Sequence, residues 1–236
     1  MKLLNHLELK KPLVSYYEHN KEVSGPRIVE RILAGETCVL VSDAGSPAIS
    51  DPGEDLVRLC AERGVTVCAI PGPCAAITAL SISGLPTGRF TFEGFLSTTK
   101  KTRRAHLDSL QKEPRTMIFY EAPHKLCGTL ADLAAAFGPE RKISLCRELT
   151  KLHEEVLRMT IGQAIDYYAQ QPPRGEYVLV VAGAAPQTEP TLTTDDALAL
   201  VRERMAQGLS RKDAVKQVAA ETGLPKNALY EATLQE

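Results

Sequence analysis

The chain has no tryptophan and a formal net charge of only −1 over 236 residues. A near-neutral balance excludes a whole-surface field for nucleic acid, so an RNA contact must be a local patch. No apolar run approaches the roughly 20 residues of a membrane span, and no signal-peptide pattern opens the sequence, so no membrane partner is expected. C-x-x-C pairs are missing. The six cysteines (Cys38, Cys60, Cys68, Cys74, Cys127, Cys146) sit mostly inside apolar runs, which reads as buried, reduced thiols of a cytoplasmic protein with no metal site. Neither G-x-G-x-x-G nor G-x-x-x-x-G-K-[ST] occurs, so the dinucleotide fingerprint and the phosphate loop are unsupported.

What is present alternates. Arg27–Ala34 has apolar residues at i,i+4 spacing before Gly35 and predicts a helix. Leu13–Tyr17, Cys38–Val41 and Val65–Ile70 read as strands, the second as an apolar run buried on both faces of a parallel sheet. Asp51 is a suitable N-cap for a helix opening at Pro52, and Cys74–Ser83 is a helix of small residues suited to close packing. The loops Ser42–Ser50 and Pro71–Cys74 both follow predicted strands, the usual ligand position in an α/β sheet.

A second α/β unit opens with a strand at Phe90–Leu96 and continues with strands at Thr116–Tyr120, Lys142–Glu148, Glu154–Met159 and Tyr177–Ala182. Its basic run at 97–116 contains Lys100, Lys101, Arg103 and Arg104, which suit RNA phosphates as well as a plain solvated helix face. Glu121, His124 and Lys125 sit at a strand-to-helix junction, where they bind substrate or merely cap the helix. Thr160 and Gln163 form a capping-box pattern. Three helical segments follow a linker at Pro186–Pro190. From residue 190 onward, six Lys/Arg against seven Asp/Glu give no basic face for DNA and suggest packing or dimer contacts. The expected domains are 1–88, 89–185 and a helical tail at 190–236.

Ser42-Asp-Ala-Gly-Ser-Pro47, Pro71-Gly-Pro-Cys-Ala-Ala76, Glu93-Gly-Phe-Leu96, Phe119-Tyr-Glu-Ala-Pro-His-Lys125, Arg147-Glu-Leu-Thr150 and Lys226-Asn-Ala-Leu-Tyr230 occur in that order. Together they resemble the bacterial 16S ribosomal RNA cytidine ribose 2′-O-methyltransferases, a branch of the tetrapyrrole methylase superfamily. The resemblance implies two α/β/α domains with S-adenosylmethionine between them, usually in a homodimer. It implies cofactor contacts from Asp43, Ala44, Gly45, Ser46, Pro47, Ile49, Pro71, Gly72, Pro73, Tyr120, Arg147 and Leu149. The implied partner is 16S rRNA of the small ribosomal subunit, with Glu121 as the first candidate base and His124 and Lys125 orienting the acceptor. Family members also begin with a strand, a loop containing Pro and Gly, and a Glu-Asp-Thr-Arg stretch. These would precede Met1, so either the sequence starts late or the first domain is expected to lack its leading strand. Two rival functions are a tetrapyrrole precursor methylase and a non-catalytic RNA binder.

Overall fold

The computed structural model describes residues 2–185 and 194–234, which divide into two compact units, 1–184 and 185–236. The expected linker at 186–190 lies outside the described residues. In the first unit the helices are α1 (Lys2–His6), α2 (Lys21–Leu33), α3 (Glu54–Glu62), α4 (Ala75–Ile82), α5 (Lys100–Ser109), α6 (Pro123–Phe137) and α7 (Ile161–Gln170). Five strands are laddered: β1 (Phe90–Phe95), β2 (Thr116–Glu121), β3 (Lys142–Arg147), β4 (Glu155–Thr160) and β5 (Tyr177–Val181). They form one mixed sheet of order β1-β2-β5-β3-β4, in which only β1–β2 is a parallel pair.

Strand alternation sorts the central strands onto two buried faces. Met117, Phe119, Ile143, Leu145, Leu179 and Val181 pack with Leu107, Leu126, Leu130, Leu133 and Ile161 of the flanking helices. Ile118, Cys146, Val178 and Val180 face the other way, onto Ala76, Ala79 and Leu80 of α4. The alanines bring α4 close to the sheet, as their size predicts. This α/β/α layering joins the first 88 residues to the second half of the unit. Thr160 caps α7 in the expected capping box with Gln163.

The first half departs from expectation in its strands. Leu13–Tyr17, Cys38–Val41 and Val65–Ile70 run without a backbone ladder among the described residues, and Val39 and Ile70 are 81% and 85% exposed. A run of β-branched residues becomes a buried strand only where neighbours satisfy its N–H and C=O groups. Here α2 and α3 instead bury Ile28, Val29, Leu56 and Cys60 in a small core of their own. The thiols are all free, but only Cys60 and Cys146 are buried; Cys38, Cys68 and Cys127 are exposed, so burial of the cysteines is corrected. Helix α2 also begins at Lys21, ahead of the predicted Arg27.

The start of β2 and the end of β5 are clasped. The Glu113 carboxylate accepts from the Arg115 backbone N–H at 2.9 Å and from its guanidinium at 2.6 and 2.8 Å, while Ala184 N–H donates to Glu113 O at 2.7 Å. The Arg115 side-chain and backbone donors hold the Glu113 carboxyl down at about 2, against an ordinary 4.5. A depressed carboxyl stabilises fully above its unfolded value and loses that contribution as pH falls through the folded one. Glu113→Gln should therefore lower the melting temperature by a few degrees above pH 4.5, and the gap to wild type should close between about pH 4.5 and 2. A gap independent of pH would contradict the linkage.

Among the described residues no helix is long and apolar enough to cross a membrane. The second unit contains α8 (Thr194–Ala206), α9 (Arg211–Thr222) and α10 (Lys226–Ala232) around Ala197, Val201, Ala214, Val215, Val218 and Leu229. Ser210 caps α9 by accepting from Asp213 N–H, and left-handed Gly223 (φ 71°) ends it.

Candidate active site

The two small-residue loops meet. Ser46 N–H donates to Pro73 O at 2.9 Å, and the Ser42 hydroxyl lies 3.1 and 3.0 Å from Ala44 O and Gly45 O. Asp43, Ala44, Gly45, Ile49, Pro71, Gly72 and Pro73 stay exposed, while Ser46 and Pro47 are half-buried. Asp51 is not the expected cap: Gly53 is the N-cap residue of α3, and no side chain caps that end. Gly53 has φ 154°, and a Cβ there would lie 2.8 Å from the Leu40 side chain, so close packing of the loop decides the helix start.

The second half supplies the floor. Tyr120, at the end of β2, accepts from Ala76 N–H at 3.1 Å through its hydroxyl, and Phe92 and Phe95 meet its ring edge-on at 5.1 and 5.5 Å. Burial first, and then nearby Cys74, raises the Tyr120 phenol above its ordinary value, so it remains a neutral hydroxyl that can accept and donate. Leu149, Cys74 and Tyr120 pack against one cluster around α4. Gly94 adopts φ 62° at the β1 irregularity and approaches within 3.5 Å of the Ser50 hydroxyl, measured from an ideal Cβ. The loops at 42–50 and 71–74, Tyr120 and Leu149 are thus gathered at one end of the sheet. Arg147 Nε lies 3.4 Å from Glu155 Oε2, within ion-pair range but without hydrogen-bond alignment.

Four of the five non-glycine residues with positive φ among the described residues fall in the loop at 42–50 or in the loop that follows β3: Ala48 (66°), Ser50 (57°), Glu148 (49°) and Thr150 (63°). None is a type that favours the left-handed region, so surrounding contacts must hold each at a cost on the order of 1–3 kcal/mol. Glu148 shows how: its carboxylate accepts from Glu176 N–H at 2.9 Å and pairs with Lys151 at 3.0 Å, pressed against Gly175 where no Cβ would fit.

The β2–α6 junction holds the other candidates. Glu121 is 4% exposed; its carboxylate accepts from Ala122 N–H at 2.8 Å and from the Thr129 hydroxyl. Arg103, its side chain 14% exposed, donates to Thr129 Oγ1 at 3.1 Å and pairs with Asp132 at 2.6 Å. A carboxylate so enclosed ties the junction together and has no open path to a substrate hydroxyl. His124 is exposed and Lys125 half-buried in the first turn of α6. Lys100, Lys101 and Arg104 are exposed on α5, and Lys100, Arg103 and Arg104 line a groove of about 310 Å³ with Asp108 and Asp132. Glu121→Ala should cost about 1–3 kcal/mol, the usual penalty for stripping a buried hydrogen-bonded group of its partner. Methyl transfer per folded molecule should keep its pH profile; a profile that loses its limb would make Glu121 the base.

Sequence reasoning missed Arg158. From β4 its guanidinium donates to Ile82 O at 2.5 Å and Ser83 O at 3.2 Å, clamping the C-terminus of α4 while Tyr120 holds the N-terminal turn. A charged residue in an otherwise half-apolar strand was the available cue.

Comparison with known proteins decides the family. The family model for tetrapyrrole (corrin/porphyrin) methylases matches residues 5–165, more than half of the chain. The chain belongs to the tetrapyrrole methylases. The tail, at 191–236, matches the RsmI C-terminal HTH domain. "Ribosomal RNA small subunit methyltransferase I" of Synechocystis sp. is 46% identical over 99% of this chain and 84% of its own length. The Bacillus subtilis protein of the same name is 42% identical over 98% and 80%. These relatives place this tetrapyrrole methylase in the small-subunit rRNA methyltransferase I group, and the chain is a methyltransferase. Among solved structures, the methyltransferase CobJ superposes with TM-score 0.55 over 75% of this chain and 76% of its own, at 20% identity. Diphthine synthase does so with TM-score 0.54 over 77% and 72%, at 14% identity. At those identities the likeness concerns the fold, which the sequence resemblance also implied.

Proposed function

We propose that the protein transfers a methyl group from S-adenosylmethionine to the ribose 2′-hydroxyl of a cytidine in 16S rRNA of the small subunit. The observation that carries the cofactor site is the concentration of left-handed, non-glycine backbone in the loop at 42–50 and in the loop that follows β3, both near Tyr120. Backbone strain of this kind is kept where a ligand needs a particular main-chain shape. The exposed loops at 43–45 and 71–73 offer main-chain groups to a zwitterionic nucleoside, and Tyr120 and Leu149 offer the apolar floor. Their arrangement fits the cofactor without a G-x-G-x-x-G turn.

S-adenosylmethionine supplies a methyl already activated on a sulfonium. The protein therefore has to align the acceptor oxygen for in-line displacement and accommodate its proton. Arg147 and Leu149 hold the cofactor from the second half. His124 and Lys125, at the open turn of α6, orient the ribose or its phosphate, and Lys100, Lys101 and Arg104 hold the RNA backbone by charge. Arg103, committed to Asp132 and Thr129, contributes less to that charge than its sequence neighbours.

The curated relatives are named for ribosomal RNA, and this carries the choice of acceptor over a porphyrinoid. The assay offers small ribosomal subunits and a tetrapyrrole precursor with labelled cofactor, followed by mass spectrometry of the 16S rRNA. A labelled ribose on cytidine is the expected product. Label on the tetrapyrrole, or none on either with no cofactor binding by calorimetry, would overturn the reading.

A further inference from the structure

The charge balance of the tail conceals a segregation. Of its acids, Asp213 is engaged with Ser210 at the start of α9, and Glu221 pairs with Arg204 at 3.3 Å. Asp195 and Asp196 occupy the first turn of α8. Between α9 and α10 lies an open groove of about 410 Å³ lined by Lys212, Lys226, Asn227, Tyr230 and a single acid, Glu231. Every one of these residues is exposed. Their positions are set from beneath: Ala214, Val215 and Val218 of α9 and Leu229 of α10 are fully or almost fully buried, and Gly223 turns the chain between the helices. Lys226 and Tyr230 are spaced i,i+4, which puts them on one face of α10. Tyr230 keeps 38% of its surface exposed.

We propose that this groove binds single-stranded RNA, with a base stacked on Tyr230 and backbone phosphates at Lys212 and Lys226. An exposed aromatic flanked by cations is the combination that holds an unpaired strand, because every base has a π-face and every linkage a negative charge. A duplex-DNA reader would instead need a broad basic face with side chains directed at base edges, and two lysines fall short of that. Asn227 adds an amide that both donates and accepts. The proposal rests on the ribosomal-RNA reading and adds to it a second contact, on the unit that does not carry the cofactor loops.

The full-length protein is titrated into a fluorescent, unstructured 12-nucleotide RNA, with anisotropy read at several salt concentrations. Tyr230→Leu, which keeps an apolar side chain at the same place, should weaken binding about tenfold, the effect expected for one lost base stack. The double variant Lys212→Glu/Lys226→Glu should weaken it further and flatten the salt dependence. Lys10→Glu/Lys11→Glu, with the same net-charge change on exposed residues of the other unit, controls for overall charge. Circular dichroism confirms that the variants fold. Equal affinity for the tail variants and the control, or tighter binding of duplex DNA than of RNA, would overturn the proposal, as would loss of self-association in the tail variants without loss of RNA. Calorimetry with S-adenosylmethionine runs in parallel. Retained cofactor binding with insensitive tail variants discards the groove alone, whereas absent cofactor binding discards the methyltransferase reading.

Discussion

Gly183→Ala is expected to destabilise the first unit by about 3 kcal/mol or more, the upper range for forced overpacking, and to lower its melting temperature by roughly 6–12 °C. The residue lies two places beyond the end of β5, where the chain runs between the lead-ins to β2 and β3. A Cβ there would overlap the Pro114 carbonyl outright and lie 2.7 Å from Arg115 O. Both obstacles are backbone, so no rotamer change relieves them. The end of β5 is held on both sides: Ala182 N–H donates to Lys142 O at 2.9 Å, Arg141 donates to Ala182 O at 3.1 Å, and Ala184 N–H donates to Glu113 O at 2.7 Å. Parting these strands loosens the Glu113–Arg115 clasp and the central β2–β5 pairing together. Gly88→Ala is the matched control, because nothing lies within 4 Å of a Cβ there. Thermal melts followed by circular dichroism decide it. If the two variants melt alike, the close approach at Gly183 is not limiting.

The second half of the fold was legible in the sequence because its elements are self-announcing. Apolar runs at Thr116–Tyr120 and Tyr177–Ala182, the Thr160–Gln163 capping box and Gly138 after α6 all act within a few residues. The first half was less so. Cys38–Val41 and Val65–Ile70 have strand-like side chains, but a ladder is a relation between distant segments, and none forms for them among the described residues. The site divided in the same way. The two small-residue loops were legible as small residues that follow apolar runs, whereas the strain at Ala48, Ser50, Glu148 and Thr150 has no residue-type cue. Glu121 looked like an available carboxylate until Thr129, eight residues on, was seen to close over it. Arg103 and Arg104 are neighbours in sequence, yet only the first is drawn inward by Asp132. In each case the missing information was a side chain's partner across the fold, which spacing alone does not carry.

Gly45→Ala should reduce affinity for S-adenosylmethionine by about 10- to 100-fold while lowering the melting temperature by only a few degrees, less than Gly183→Ala does. Gly45 has φ 75°, a conformation that costs an L-residue roughly 1–2 kcal/mol. An added Cβ would also stand 2.9 Å from Pro73 O, and that oxygen accepts the Ser46 N–H that joins the two small-residue loops proposed to hold the cofactor. The substitution therefore strains the left-handed turn and pushes away the acceptor that closes the pair. Each 1.4 kcal/mol is tenfold in binding, so the two effects together set the range. The loss of global stability is limited because residues 43–45 are exposed and the loop can relax without disturbing a buried cluster. Gly72→Ala is the graded comparison. Its Cβ would meet the rotatable Ser46 hydroxyl at 3.3 Å and Ile70 O at an ordinary 3.9 Å, and its φ is not in the left-handed region, so a smaller loss is expected. Isothermal calorimetry with S-adenosylmethionine on the two variants and wild type gives the ordering. Wild-type affinity in Gly45→Ala would show that the cofactor does not depend on the joined loops and would move the site elsewhere; a loss accompanied by a large fall in melting temperature would make the glycine's role structural.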